Sequence, residues 1–267
     1  MAVQSPPPQI DAVGELQNAF RVLFSNWTLA IPTALVSLVA AAFFAFMLAG
    51  VMASVAGAGM IGGMHPGAAG GLLAAGGATL LVGLVVIVLI AILANATVIG
   101  ASENVWRGNP PDLGAGFSKA LSRLGQLLVL FVIAIVLAIV CGLLVIALGL
   151  GIILGILLGF FFMYALPAVV VGNRGATEAL GESWRLVRAN LGPSVIAFLG
   201  IIVVSIVGQI IINLFHVIPF LMVIIALVVG GLTSAYSALV AVRFYDLLSG
   251  TATRGITTPP RSTMTTP

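Results

Sequence analysis

The chain has 267 residues, of which 61% are hydrophobic and 6% charged, with ten Lys and Arg against seven Asp and Glu. A soluble globular domain carries about 25% charged residues, so this composition excludes an ordinary cytosolic enzyme and a disordered chain. A net charge of +3 without a long basic run excludes a nucleic-acid binder as well, and a single cysteine, Cys141, leaves no internal disulfide to form.

Residues 1–8, with Ser5-Pro6-Pro7-Pro8, read as a disordered N-terminus, and the first 27 residues carry no cleavable signal. From there Ile10, Val13, Leu16, Phe20, Leu23 and Trp27 recur at steps of three or four, the period of a helix with one apolar face. No charge appears between Arg21 and Glu103, a gap of 81 residues. A span needs roughly 20 apolar residues, so this gap fits two spans, at about 29–52 and 79–100. The ten glycines between Gly50 and Gly77, with Pro66, favour a loose loop over 53–78 rather than a re-entrant segment.

The pattern then repeats. Leu113, Phe117, Leu121, Leu124 and Leu128 mark a second amphipathic stretch, followed by 50 uncharged residues after Arg123 with spans at about 127–148 and 152–171. Leu180, Trp184, Val187 and Leu191 mark a third, followed by 54 uncharged residues after Arg188 with spans at about 193–214 and 219–242. Lipid cannot satisfy open backbone groups, and barrel-type alternation is absent, so the spans are helical. The expected fold is all-α: a polytopic membrane protein in which residues 9–249 form one domain of six transmembrane helices with three cytoplasmic interfacial helices. Residues 250–267 are a Thr/Pro-rich tail expected to be disordered.

Two spans per gap return the chain to its starting side, so every Lys and Arg faces one compartment. The positive-inside rule makes that side the cytoplasm, with both termini there. Nine Arg against one Lys, amid abundant Ala and Gly, point to a GC-rich bacterial genome and hence to the bacterial cytoplasmic membrane. The first and third entries also align residue for residue: Leu16, Phe20, Arg21, Val22, Leu23 and Asn26 match Leu180, Trp184, Arg185, Leu186, Val187 and Asn190 at an offset of 164. The chain therefore reads as three parallel copies of one unit, interfacial helix, span, turn, span.

Six residues stand out as interfacial, lipid-binding or packing candidates: Trp184, Arg185, Arg188, Asn190, Tyr245 and Asp246. Arg185 or Arg188 could pair with Asp246, or the arginines could meet anionic headgroups at about 1 kcal/mol each. Ser205, Gln209 and Asn213 lie one turn apart on the fifth span, a polar seam that either lines a substrate path or supplies interhelical hydrogen bonds. Asn95, Thr97, Thr233, Ser234, Tyr236 and Ser237 are the other polar residues near inner span ends. Gly151, Gly155 and Gly159, and likewise Gly230, Ser234 and Ala238, recur at the spacing that lets helices approach closely, within the chain or between two copies. Pro32 and Pro167 are placed to start or kink spans. His65 and His216 fall in outward turns; His65 with Met60 and Met64 offers soft Cu(I) ligands, but the spacing favours a plain loop.

The segment Ala179-Leu180-Gly181-Glu182-Ser183-Trp184-Arg185-Leu186-Val187-Arg188-Ala189-Asn190 resembles the loop motif of a bacterial multi-pass family. That family includes the membrane domain of some glycerophosphodiester phosphodiesterases. The ending Phe244-Tyr245-Asp246-Leu247 is similar to the way that family closes. The resemblance implies about six spans and no established activity. No phosphodiesterase domain follows Leu247 in this sequence, so that activity is not expected.

No charge lies within a span, there is no H-E-x-x-H, phosphate loop or G-x-S-x-G, and only two His are present. The expectation is a non-enzymatic structural, accessory or lipid-interacting membrane component. It needs no cofactor or metal; its partners are membrane lipids and a membrane protein or second copy, with no nucleic acid. The alternative is a transporter or channel for a neutral or lipid-like substrate, carried by the Ser205–Gln209–Asn213 face.

Overall fold

The computed structural model describes residues 10–60, 66–148, 151–215 and 219–250. Residues 1–8 and 251–267 of the expected disordered ends, with His65 and His216, lie outside them. The described residues form ten α-helices and no strand: α1 (Ala12–Ser25), α2 (Ile31–Met60), α3 (Pro66–Trp106), α4 (Leu113–Ser122), α5 (Leu124–Leu148), α6 (Gly151–Phe162), α7 (Ala165–Val170), α8 (Ala176–Ala189), α9 (Leu191–Leu214) and α10 (Pro219–Ser249). A 3₁₀ turn, Trp27–Ala30, links α1 to α2. Six stretches are long and apolar enough to cross a membrane: Trp27–Gly50, Val82–Trp106, Leu124–Val145, Gly151–Val170, Leu191–Leu214 and Leu221–Ser249. The protein is an all-α polytopic membrane protein.

Burial divides these spans into two classes. The first span of each pair has 6, 6 and 11% of its most apolar stretch buried, and the second has 28, 33 and 33%. The second spans therefore form the centre and the first spans the periphery. α3, α7 and α10 touch one another pairwise, and the largest buried side chains come mainly from them: Val98, Tyr164, Val169, Tyr236, Phe244 and Tyr245. Hydrophobic burial cannot drive such packing between helices in lipid; close contact and hydrogen bonds must do so. Accordingly Gly231 lies so near Ala30 that a Cβ there would meet its carbonyl oxygen at 2.9 Å, and Gly83 leaves room for the Phe43 ring.

The short amphipathic helices close the arrangement into a ring. α4 packs on α3, α8 on α5, α6 and α7, and α1 on α9 and α10. Each is thus clamped to the spans of the preceding unit, and the first unit to the last. α1 and α8 are both 14 residues long, and their starts and ends lie at the offset seen in the sequence. Both end at an asparagine of the same backbone conformation, Asn26 at φ −132°, ψ 47° and Asn190 at φ −135°, ψ 53°. Each of these side chains donates to the carbonyl four residues earlier, Val22 at 2.9 Å and Leu186 at 3.1 Å. α4 is shorter, at 10 residues, and ends at Arg123, but it shares its start with α1. The Oδ1 atoms of Asp11 and Asp112 accept from the N–H of Gly14 and Ala115, N-caps that also place negative charge at the positive helix end.

Two expectations are corrected, and Pro167 kinks its span as its position predicts. The Gly/Ala-rich segment 53–78 is helical through Met60 and again from Pro66, not a loose loop. Glycine costs about 1 kcal/mol in a helix, but alanines dominate, Pro66 suits a first helical position and lipid forces backbone groups to bond internally. The fourth span is broken between α6 and α7 at Met163–Tyr164. Pro167 lacks the N–H that would reach the carbonyl four residues back, and its ring crowds that carbonyl. Of the small-residue stripes, Gly151 is buried against α5 while Gly155, Gly159 and Gly230 face open space, and Gly231 makes the contact expected of Gly230.

Candidate functional site

The charged groups gather at the end of the bundle where α3 and α10 finish. Glu103 of α3 is nearly buried and takes both Arg107 and Lys119, the latter from α4. Arg243 of α10 donates to both carboxylate oxygens of Glu15 of α1, at 2.8 and 2.9 Å. Its guanidinium carbon lies 5.0 Å from the centre of the Trp106 ring, whose Nε1 donates to Leu239 O at 3.0 Å. Glu182 of α8 accepts from Arg174 Nε at 2.8 Å and from the hydroxyl of Tyr245 at 3.3 Å.

Four of the described basic residues, Arg107, Lys119, Arg174 and Arg243, are thereby paired with three carboxylates. The other four, Arg21, Arg123, Arg185 and Arg188, join no ion pair among the described residues. They lie on α1, on α8 and at the end of α4. The same helices, with the turn after α1, carry the exposed aromatic side chains Phe24, Trp27, Phe117 and Trp184. Aromatic and arginine side chains together on amphipathic helices are the composition of a headgroup-level surface.

Below this rim lies a partly open cavity of about 350 Å³. One wall is α3, with Val88, Ala91, Ile92 and Asn95; a second is α5, with Leu127, Leu130, Phe131, Ala134 and Leu137. The break after α6 supplies Phe162, Ala165 and Leu166, and α8 reaches over with Leu180. Asn95 is the single polar side chain in this lining. Its Nδ2 donates to Ala91 O at 2.8 Å, and its Oδ1 accepts from Ser234 of α10 at 3.1 Å. Asn95 thus ties two central spans together while facing an otherwise apolar space.

The sequence-derived candidates fall into three groups. Tyr245 is buried and bonded to Glu182, and Asn190 is the cap of α8. Trp184 stacks on Phe161 with ring centres 4.1 Å apart, and Arg188 lies over the same indole at 5.9 Å. Among the described residues no ion pair joins Asp246 to Arg185 or Arg188; the Tyr245–Glu182 hydrogen bond links the same two helices. The seam is corrected too. Ser205, Gln209 and Asn213 are all exposed on α9, and Ser205 donates to Ile201 O of its own helix. The packing face of α9 is instead Ser194, Ala197 and Gly208, so among the described residues the seam does not face another span of the same chain. No group of three or more His, Cys, Asp or Glu sits together among the described residues.

Residues 114–254, just over half of the chain, match the model of a domain of unknown function, DUF7847. The chain belongs to that family. The DUF7847 match runs from the second residue of α4 through α10, so it contains the second unit but for Leu113 and the whole of the third. It includes the α5–α8 walls of the cavity, while α3 belongs to the first unit, outside the match. No curated protein and no solved structure matches the chain.

Proposed function

We propose that this DUF7847 protein is a non-enzymatic component of a bacterial cytoplasmic membrane that engages anionic lipid at its charged end. That end faces the cytoplasm, as the confinement of every Lys and Arg to one side favours, and both termini lie there. The observation that carries the reading is the set Arg21, Arg123, Arg185 and Arg188, which no carboxylate neutralises among the described residues. These side chains sit on helices whose exposed aromatics suit the headgroup layer. The likeness of residues 179–190 to the membrane domain of glycerophosphodiester phosphodiesterases accords with a lipid-facing role and brings no catalytic group with it.

The test is the unfolding of the purified chain in detergent with added phosphatidylglycerol or phosphatidylcholine. Phosphatidylglycerol raises the midpoint, and replacing the four arginines by glutamine removes the difference, at about 1 kcal/mol for each arginine. Equal midpoints in the two lipids for the unaltered chain would overturn the proposal.

A further inference from the structure

The cavity under Leu180 has dimensions that select its occupant. Its α5 wall runs from Leu127 to Leu137, a rise of about 15 Å at 1.5 Å per residue. That is about half of the ~30 Å hydrocarbon thickness, the depth of one leaflet. The lining is apolar apart from Asn95, and a wall one leaflet deep suits one extended hydrocarbon chain.

Its position agrees. Leu127 lies one turn from Arg123, which precedes α5 and joins no ion pair among the described residues. An anionic group held there would stand at the mouth of the cavity with its tail below. The repeat gives a comparison. Leu16 of α1, the counterpart of Leu180, rests on α9 at Gly200, where a Cβ would meet its methyl at 2.7 Å. There the interfacial helix seats directly on the first span of the neighbouring unit, whereas beneath Leu180 a space remains.

We infer that the cavity between α3, α5 and α6–α7 holds one acyl chain of a bilayer lipid, its phosphate beside Arg123. This rests on the lipid-engaging reading above and adds a discrete site to it. The probe is a glycerophospholipid brominated on one acyl chain, in phosphatidylglycerol and phosphatidylcholine forms, added to the full chain in detergent. Phe131→Trp places an indole in the cavity wall, and its emission is read as the difference from the unaltered chain. Quenching that saturates at one lipid per protein is expected, and Ala134→Phe in the same background weakens it about tenfold, equivalent to 1.4 kcal/mol. Ala91→Leu, from the opposite wall, does the same if Ala134→Phe does not fold, while Ile135→Phe, on the exposed face of α5, changes nothing.

Quenching that only tracks the bulk fraction of brominated lipid would overturn the site, as would saturable quenching untouched by both cavity-filling changes. Saturable quenching by both headgroup forms with equal affinity would keep the cavity while defeating the anionic-lipid reading.

Discussion

Arg243, near the end of the last helix, forks onto Glu15 in the first, with both carboxylate oxygens accepting at 2.8 and 2.9 Å across 228 residues of sequence. The pair closes the ring of three units. Both side chains are mostly shielded, at 17 and 21% exposure, and charge-assisted bonds of this kind contribute about 1.5–3 kcal/mol. Glu15→Arg or Arg243→Glu alone is expected to lower unfolding stability in detergent by about 2 kcal/mol, and the double exchange to recover part of it. No recovery would mean that packing of Arg243 on Trp106 accounts for the effect.

Glu103 ties α4 to α3 through Lys119 and also binds Arg107. Its side chain is 7% exposed, against 56% for Arg107. Removing the carboxylate leaves two cations that can reach water, so Glu103→Ala should cost about 2 kcal/mol rather than the larger penalty of a stranded buried charge. Limited proteolysis of the 107–112 turn should rise with it if α4 detaches.

Glycines differ in what they support. A Cβ on Gly116 would lie 2.4 Å from Thr97 O, a backbone atom of α3 that cannot move aside. Gly116→Val should destabilise by about 3 kcal/mol, as overpacking does. Gly155→Ala meets nothing within 4 Å and should stabilise by up to about 1 kcal/mol through helix propensity alone. A loss on Gly155→Ala, seen as a lower unfolding midpoint, would reveal a contact made by that face outside this chain.

Tyr245→Phe removes the bond to Glu182 and leaves a ring already packed in the core. A loss of about 1 kcal/mol is expected, checked by the unfolding midpoint. Glu182→Gln should cost more, because Arg174 loses its partner as well.

Charge spacing alone made the six spans legible, since uncharged gaps of fixed length have few helical solutions. The 164-residue offset likewise carried through to α1 and α8, which share length, cap and buried positions. Other features left no trace in composition. Apolarity does not rank the inner spans consistently against the outer ones, so the central place of α3 and α10 depends on which small residues meet, as with Gly231 and Ala30. The seam was misplaced because a stripe at four-residue spacing fixes a face of α9 but not its partner. The cavity was invisible because Ala91, Leu127 and Ala134 are ordinary span residues, and only the shape between them is unusual. Glu15 and Arg243 had no local signal to join them.

The account depends most on paired crossings that place all three interfacial helices at one leaflet. Single cysteines at His65, Gly108 and Asn173, introduced into a Cys141→Ala chain, report this through a membrane-impermeant maleimide on intact cells. Labelling of the His65 position alone is predicted, with Gly108 and Asn173 reacting only after the cells are opened. Labelling of Gly108 or Asn173 on intact cells, or protection of His65 until lysis, would contradict the arrangement.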